Sequence, residues 1–159
     1  MDRIAIFPGS FDPITRGHES IVRRAVPLFD KIVVAVGINS SKKYLFSTEQ
    51  RVQWLKELFA DEIKIEVATY TTLTVDFCQS IGARFIIRGL RNSVDFNYEK
   101  SIAQMNWALN NKIETIFYLT TPDLSAINAT IVRDIYVNGG DISSFIPVKL
   151  KLPNYIPNK

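Results

Sequence analysis

Short apolar runs and helical apolar stripes alternate along this chain. Ile4-Ala5-Ile6-Phe7 is an unbroken apolar run, the mark of a buried strand. From Gly17 the period changes, and Ile21, Val22, Ala25, Leu28 and Phe29 fall on one helical face. Pro27, late in that stretch, predicts a kink or an early end to the helix. Residues 32–36 form a second β-branched run, closed by Gly37. Ser47, with Gln50 three residues on, reads as the capping-box start of a helix whose buried side is Val52, Leu55, Leu58 and Phe59. Ile63, Ile65 and Val67 alternate, predicting a strand with one face buried. Residues 73–81 read as a short helix with Gly82 in the C′ position, and residues 85–87 as the next strand. A longer helix is expected over residues 94–110, with Ile102, Met105 and Leu109 inward and Met105 and Trp107 as packing residues. Residues 115–119 are a fifth strand, and residues 129–137 a last helix before Gly139-Gly140. Strands alternating with helices predict an α/β fold: a doubly wound, five-stranded parallel sheet. No repeat, low-complexity tract or linker interrupts it, so residues 1–159 read as one domain.

In such a sheet ligands bind beyond the carboxyl ends of the strands. The first strand breaks at Pro8-Gly9, a turn signal, and the loop leads to a helix whose first turn carries His18, the only histidine. A strand, a glycine-containing loop and a helix N-terminus leave backbone N–H groups free to meet an anion. The loop is neither G-x-x-x-x-G-K-S/T nor G-x-G-x-x-G. Ser10 and His18 follow the first strand, Lys42 the second, Thr72 and Thr74 the third, Arg88 and Arg91 the fourth, and Thr130 the fifth. A solvated lysine or a helix-end arginine accounts for any one of these. Surface charge does not account for a polar or cationic group after every strand.

Composition narrows the class. At 159 residues and 47% apolar the chain can bury a substantial core. A net charge of +3 is too small to argue for nucleic acid. The lone cysteine, Cys78, excludes an internal disulfide, fits a reducing compartment and falls in a predicted helix as a core residue. No signal-peptide pattern precedes the first strand, and no apolar run approaches the ~18 residues of a membrane span. A cytoplasmic protein without membrane or nucleic-acid partners is expected.

The string Phe7-Pro8-Gly9-Ser10-Phe11-Asp12-Pro13, continued by Thr15-x-Gly17-His18, carries the T-x-G-H form of the H-x-G-H nucleotidyltransferase signature. Over its whole length it resembles the bacterial phosphopantetheine adenylyltransferase family. Ser41-Lys42-Lys43, Ile87-Arg88-Gly89-Leu90-Arg91, Asp95-Phe96-x-Tyr98-Glu99 and Met105-Asn106 are similar to the same family at the expected places. The superfamily's second signature, I-S-S-T-x-x-R, is partly kept from Ile127 through Asn128, Ala129 and Thr130 to Arg133. The likeness runs from about Arg3 to Pro147 and leaves out the tail.

The resemblance implies a Rossmann-like nucleotidyltransferase fold and a homohexamer. It implies transfer of the adenylyl group of ATP to 4′-phosphopantetheine, with magnesium accompanying the ATP and coenzyme A competing for the site. On the same basis His18 stabilises the transition state at the α-phosphate. Lys42 and Arg88 hold the attacking phosphate with Ser10, and Thr74 stands in the wall along the pantetheine arm. Arg91 and Thr130 take the β- and γ-phosphates. Phe11, Gly89, Leu90 and Glu99, with the segment Leu124, Ser125, Ala126, Ile127, Asn128 and Ala129, surround the nucleotide. Asp95 is either a nucleotide ligand or a helix cap. No metal-ligand cluster is implied. Asn128 and Ala129 replace two serines, so triphosphate contacts at position 129 fall to the backbone. Thr74 is smaller and more polar than the apolar residue common there. Trp54, Trp107 and the Phe145-Ile146 pair are the apolar surface that assembly would cover. Rival readings are a nicotinate-mononucleotide or glycerol-3-phosphate nucleotidyltransferase, against which the Arg88-Gly89-Leu90-Arg91 segment stands, and a flavodoxin-like binding module, which has no need of cations after four strands.

Overall fold

A computed structural model describes residues 2–153. Residue 1 and residues 154–159, the ends of the expected domain, lie outside the described residues. The apolar runs form five parallel strands: β1 (Ile4–Gly9), β2 (Lys31–Gly37), β3 (Ile65–Tyr70), β4 (Phe85–Leu90) and β5 (Glu114–Leu119). Helices α1 (Arg16–Ala25), α2 (Thr48–Leu58), α3 (Thr74–Ser80), α4 (Ser93–Leu109) and α5 (Ala129–Val137) connect or follow them. The sheet order is β3-β2-β1-β4-β5, so the winding reverses between β1 and β4. The fold class expected from the alternation is the one observed.

Side chains of alternate strand residues enter two cores. Ala5, Phe7, Ile32, Val34, Val36 and Ile87 pack with α1, α2 and α5 on one face. Ile6, Val33, Ala35 and Ile86 pack with Val75 and Cys78 of α3 on the other. Cys78 is fully buried, and desolvation pushes its thiol up to about 12, so it is an inert core residue. Gly82 holds φ at +71° just past α3, the left-handed C′ geometry expected of it. At Pro27 the first helix gives way to a 3-10 turn, Val26–Leu28. That turn shifts the phase and leaves Leu28 56% exposed, not buried with its helical face as the periodicity predicts.

Three further expectations are corrected. Ile63 precedes β3 instead of joining it and is exposed. Trp54 is buried, with its ring edge-on to Phe46 at 4.8 Å, and Ile146 is buried in the same core. Neither is surface for an oligomer to cover. In α4, Met105, Trp107 and Leu109 point outward, and Glu99 is its only buried residue. Glu99, Ile102, Ala103 and Asn106 line a cavity, so this face of α4 serves open space, and Met105, Trp107 and Leu109 occupy other sides of the helix.

The ladder between β1 and β2 runs the full strand, with six partners from Ile4 to Gly9. Between β1 and β4 it covers only Ala5 opposite Phe85 and Ile6 opposite Ile86. Beyond that the two strands part, and a crevice opens at their carboxyl ends. This is the switch point at which doubly wound sheets bind ligands.

Candidate active site

Two cavities fill the crevice. One, of about 320 Å³, is lined by the β1–α1 loop, Arg88, Gly89, Arg91 and the segment before α5. The other, of about 640 Å³, lies toward β2, β3 and α4 and is lined by Lys42, Tyr70, Thr74, Ile102 and Asn106. Their common wall is Pro8, Gly9, Ser10, Arg88 and Glu99.

The β1–α1 loop sets the first cavity. Thr15 caps α1, its hydroxyl accepting from the His18 N–H at 3.4 Å. The imidazole returns the contact: His18 Nδ1 accepts the Thr15 backbone N–H at 3.1 Å. This is a capping box with histidine in the place usual for Glu or Gln. Because a backbone N–H can only donate, Nδ1 carries no proton, and the neutral ring bears its hydrogen on Nε2. Phe11 sits at φ +48°, in the left-handed region rare for bulky residues, and its ring stands edge-on to His18 at 5.4 Å. Gly9 makes this possible, since a Cβ there would lie 2.9 Å from the Phe11 ring. Desolvation, then the charges of Arg88 and Arg91, lower the His18 pKa to about 4. The ring meets the cavity over part of its surface.

Both arginines are held by α4. Arg88 donates from Nε and Nη2 to the two Glu99 oxygens at 2.8 and 2.5 Å. Its Nη1 donates to Pro8 O at 2.7 Å, spanning the gap where β1 and β4 part. Arg91 grips Asp95 through Nε and Nη2 at 2.9 and 3.0 Å and reaches Ile127 O with Nη1. These hydrogen bonds hold the Asp95 carboxyl below its usual range and raise the Arg91 pKa. Asn92, not Asp95, caps α4, which corrects the helix-cap alternative for Asp95. A guanidinium has five N–H groups, so each arginine keeps some free for an anion in the cavity.

Ser10, Phe11, His18, Arg88, Gly89, Arg91, Glu99, Leu124, Ile127, Asn128 and Ala129 come together around the first cavity. Ser10, Lys42, Thr74 and Arg88 come together around the second. Leu90, Ser125 and Thr130 line neither. Ala126 lines a separate hollow beside Arg16 and Phe145. The Thr130 hydroxyl accepts from Arg133 at 3.1 Å, while Asn128 caps the Thr130 N–H at 2.8 Å. Sequence reasoning missed Asp12, Tyr70 and Arg51. For Arg51 a signal exists: it stands four and seven residues before Leu55 and Leu58, on the buried stripe of α2.

A 3-2-1-4-5 parallel sheet thus gathers two helix N-termini and several cations at its switch point, an arrangement suited to a polyanionic ligand. A family model described as cytidylyltransferase-like matches residues 6–135. Likeness in three dimensions extends to the bifunctional NMN adenylyltransferase/ADP ribose pyrophosphatase of Francisella tularensis. That match has a TM-score of 0.70 over 92% of this chain and 45% of that one, at 18% identity, a likeness of fold. Phosphopantetheine adenylyltransferase of Flavobacterium psychrophilum is 52% identical over 150 residues, 94% of this chain and 99% of that one. Its counterpart in Flavobacterium johnsoniae is 52% identical over 145 residues, covering 91% and 95% of the two chains. The chain belongs to the phosphopantetheine adenylyltransferase family of nucleotidyltransferases.

Proposed function

We propose that this protein joins ATP and 4′-phosphopantetheine, giving dephospho-coenzyme A and pyrophosphate. The observation that carries the reading is the shared wall. Ser10, Arg88 and Glu99 belong to both cavities, so ligands in the two meet beside one guanidinium and one hydroxyl. ATP takes the smaller cavity, with Gly89, Leu124 and Ile127 around the nucleotide and Arg91 near its outer phosphates. Phosphopantetheine takes the larger, with its phosphate toward Lys42 and Arg88 and its arm along Thr74 and Tyr70.

An oxygen of the acceptor phosphate attacks the α-phosphorus. The bond from that phosphorus to the bridging oxygen breaks, and pyrophosphate leaves. No protein nucleophile is needed, and catalysis rests on alignment and on charge stabilisation. His18 donates from Nε2 to an α-phosphate oxygen as charge gathers there, and it donates as a neutral imidazole. Lys42 acts as a point charge, while Arg88 offers planar, directional donors.

Magnesium enters with ATP. Among the described residues no group of three or more His, Cys, Asp or Glu converges on one point, and Asp95 and Glu99 are engaged by arginine. The ion would be held mainly by phosphate oxygens and water, and it would supply charge neutralisation on the triphosphate. Coenzyme A, which shares both halves of the product, competes for the same cavities. The protein works as a homohexamer in the cytoplasm. Support for assembly is the exposed apolar stripe of α4, Val94, Tyr98, Met105 and Leu109; support for the location is the single, unpaired cysteine, as in a reducing compartment. The test is incubation with ATP, magnesium and phosphopantetheine while pyrophosphate is followed. Release that requires phosphopantetheine, and is not supported by nicotinate mononucleotide or glycerol 3-phosphate, is expected. Nucleotide binding without release contradicts the reading.

A further inference from the structure

Arg51 is the largest fully buried side chain, 1% exposed, and among the described residues no carboxylate forms an ion pair with it. Its hydrogen bonds go to backbone carbonyls and one hydroxyl. Nη1 donates to Ser10 O at 2.6 Å, Nε to Phe46 O at 3.2 Å and Ser47 O at 3.4 Å, and Nη2 to Thr48 Oγ1 at 3.0 Å. The guanidinium lies 4.2 Å from the centroid of the Tyr44 ring. Asp12, 4% exposed, makes the reverse contact. Its two oxygens accept the backbone N–H groups of Leu45 and Phe46 at 2.8 and 2.9 Å. On the far side, Arg133 donates to Asp12 O at 3.0 Å.

A buried guanidinium without a carboxylate is costly to desolvate. An apolar side chain of similar length fills such a space at less cost, but it leaves the Ser10 and Phe46 carbonyls without donors. What the charge achieves here is a fixed relation between two segments that carry different halves of the site. Residues 9–13 carry Ser10 and the Phe11 ring that abuts His18. Residues 38–47 carry Lys42.

We infer that Arg51 and Asp12 are positioning residues that lock these two segments together, setting His18 and Ser10 against Lys42 for in-line transfer. The inference rests on the adenylyl-transfer reading. Neither side chain needs to touch substrate. Arg51 fixes the peptide between Ser10 and Phe11, and Phe11 in turn fixes the imidazole plane. Asp12 fixes the end of the Lys42 segment. Loss of either lets the two halves drift by a fraction of an ångström, which alignment-dependent chemistry registers in kcat.

The test compares wild type, Arg51→Met, Arg51→Lys and Asp12→Asn. Pyrophosphate release and KM for ATP and for phosphopantetheine are measured, with thermal melts and the nitrogen-resolved NMR signals of the single histidine. Expected for folded Arg51→Met is a fall in kcat of about 10- to 100-fold with KM for each substrate within about three-fold, together with displaced His18 ring signals. Arg51→Lys, which keeps one directed donor, recovers part of kcat. If Arg51→Met does not fold, Asp12→Asn decides, with the same kcat-against-KM pattern expected. A folded variant with wild-type kcat and unmoved His18 signals overturns the inference, as does a change in KM alone. Wild-type turnover in the same assay separates failure of this inference from failure of the adenylyl-transfer reading, and the NMR signals report on Arg51 without any turnover.

Discussion

Thr15 donates its backbone N–H to His18 Nδ1 at 3.1 Å, so one contact both closes the first turn of α1 and selects the tautomer of the imidazole. The hydrogen left on Nε2 is on the nitrogen away from the helix cap. Desolvation and two guanidinium charges keep the ring neutral. His18 is thus built as a donor of fixed direction. It is not a titrating acid near neutral pH.

The first prediction concerns that state. In the free protein the His18 ring stays neutral, protonated on Nε2, from pH 7.5 down to about 5, because its pKa is lowered to about 4. The unfolded chain takes up the same proton near 6.5. Between these values the unfolded state binds more protons, so this group's contribution to stability is complete above pH 6.5 and is lost as pH falls toward 4. Nitrogen-resolved NMR reads the single histidine directly, and a midpoint near 6.5 or a proton on Nδ1 contradicts the geometry.

The second prediction separates two cations of the acceptor side. Lys42 lines only the larger cavity, so Lys42→Ala weakens phosphopantetheine by about 10- to 100-fold, the worth of a charge-assisted contact, and leaves ATP unchanged. Arg88 lines both cavities, bridges to Pro8 and pairs with buried Glu99. Arg88→Ala therefore weakens both substrates and lowers stability by about 1–3 kcal/mol. Binding isotherms and denaturant melts of the two variants check this, and identical profiles refute it.

Much of this was legible in the chain. Unbroken apolar runs such as residues 32–36 mark strands buried on both faces, and the phased polar residues after them mark the rim. Ser10, His18, Lys42 and Arg88 do meet there. What the pattern hid has one cause: the rule that apolar means inside fails where a helix faces a ligand cavity or a charge is satisfied by distant carbonyls. Thus Met105 and Leu109 of α4 read as inward, while the spacing of Arg51 can place it on the buried stripe of α2 but does not reveal its partner Ser10, 41 residues away. No local pattern reports that contact. The Arg88 and Arg91 ion pairs were likewise unread, because their carboxylates only come into register once α4 docks beside β4.

A third prediction tests close approach at the rim. A Cβ on Gly89 lies 2.3 Å from Ile21 Cδ1, a buried side chain that also lines the smaller cavity. Gly89→Ala pushes Ile21 into that cavity or off its rotamer. The expected cost is about 1–3 kcal/mol, with weaker ATP binding and unaltered phosphopantetheine binding. Isothermal titration of both substrates reads the difference, and unchanged ATP affinity in a folded variant refutes it.

A fourth concerns assembly. Val94, Tyr98, Met105 and Leu109 lie along one stripe of α4 and are 74%, 69%, 66% and 61% exposed. A contiguous exposed apolar stripe of this kind is a candidate surface for self-association. Sedimentation is expected to give a homo-oligomer that Met105→Lys dissociates. A wild-type species of 18.1 kDa at micromolar concentration contradicts the prediction.

The central claim is that His18 acts on the transition state and not on bound substrate. In the proposed mechanism, magnesium and Arg91 would neutralise ground-state ATP, whereas charge on the α-phosphate oxygens would be met anew during transfer. The decisive measurement is kcat for His18→Ala beside directly measured dissociation constants for ATP and phosphopantetheine, with circular dichroism to establish folding. Loss of one aimed donor is expected to lower kcat by about 10²–10³ while both dissociation constants stay within a few-fold. A folded His18→Ala variant that turns over within a few-fold of wild type, or that loses substrate affinity in proportion to rate, contradicts the account.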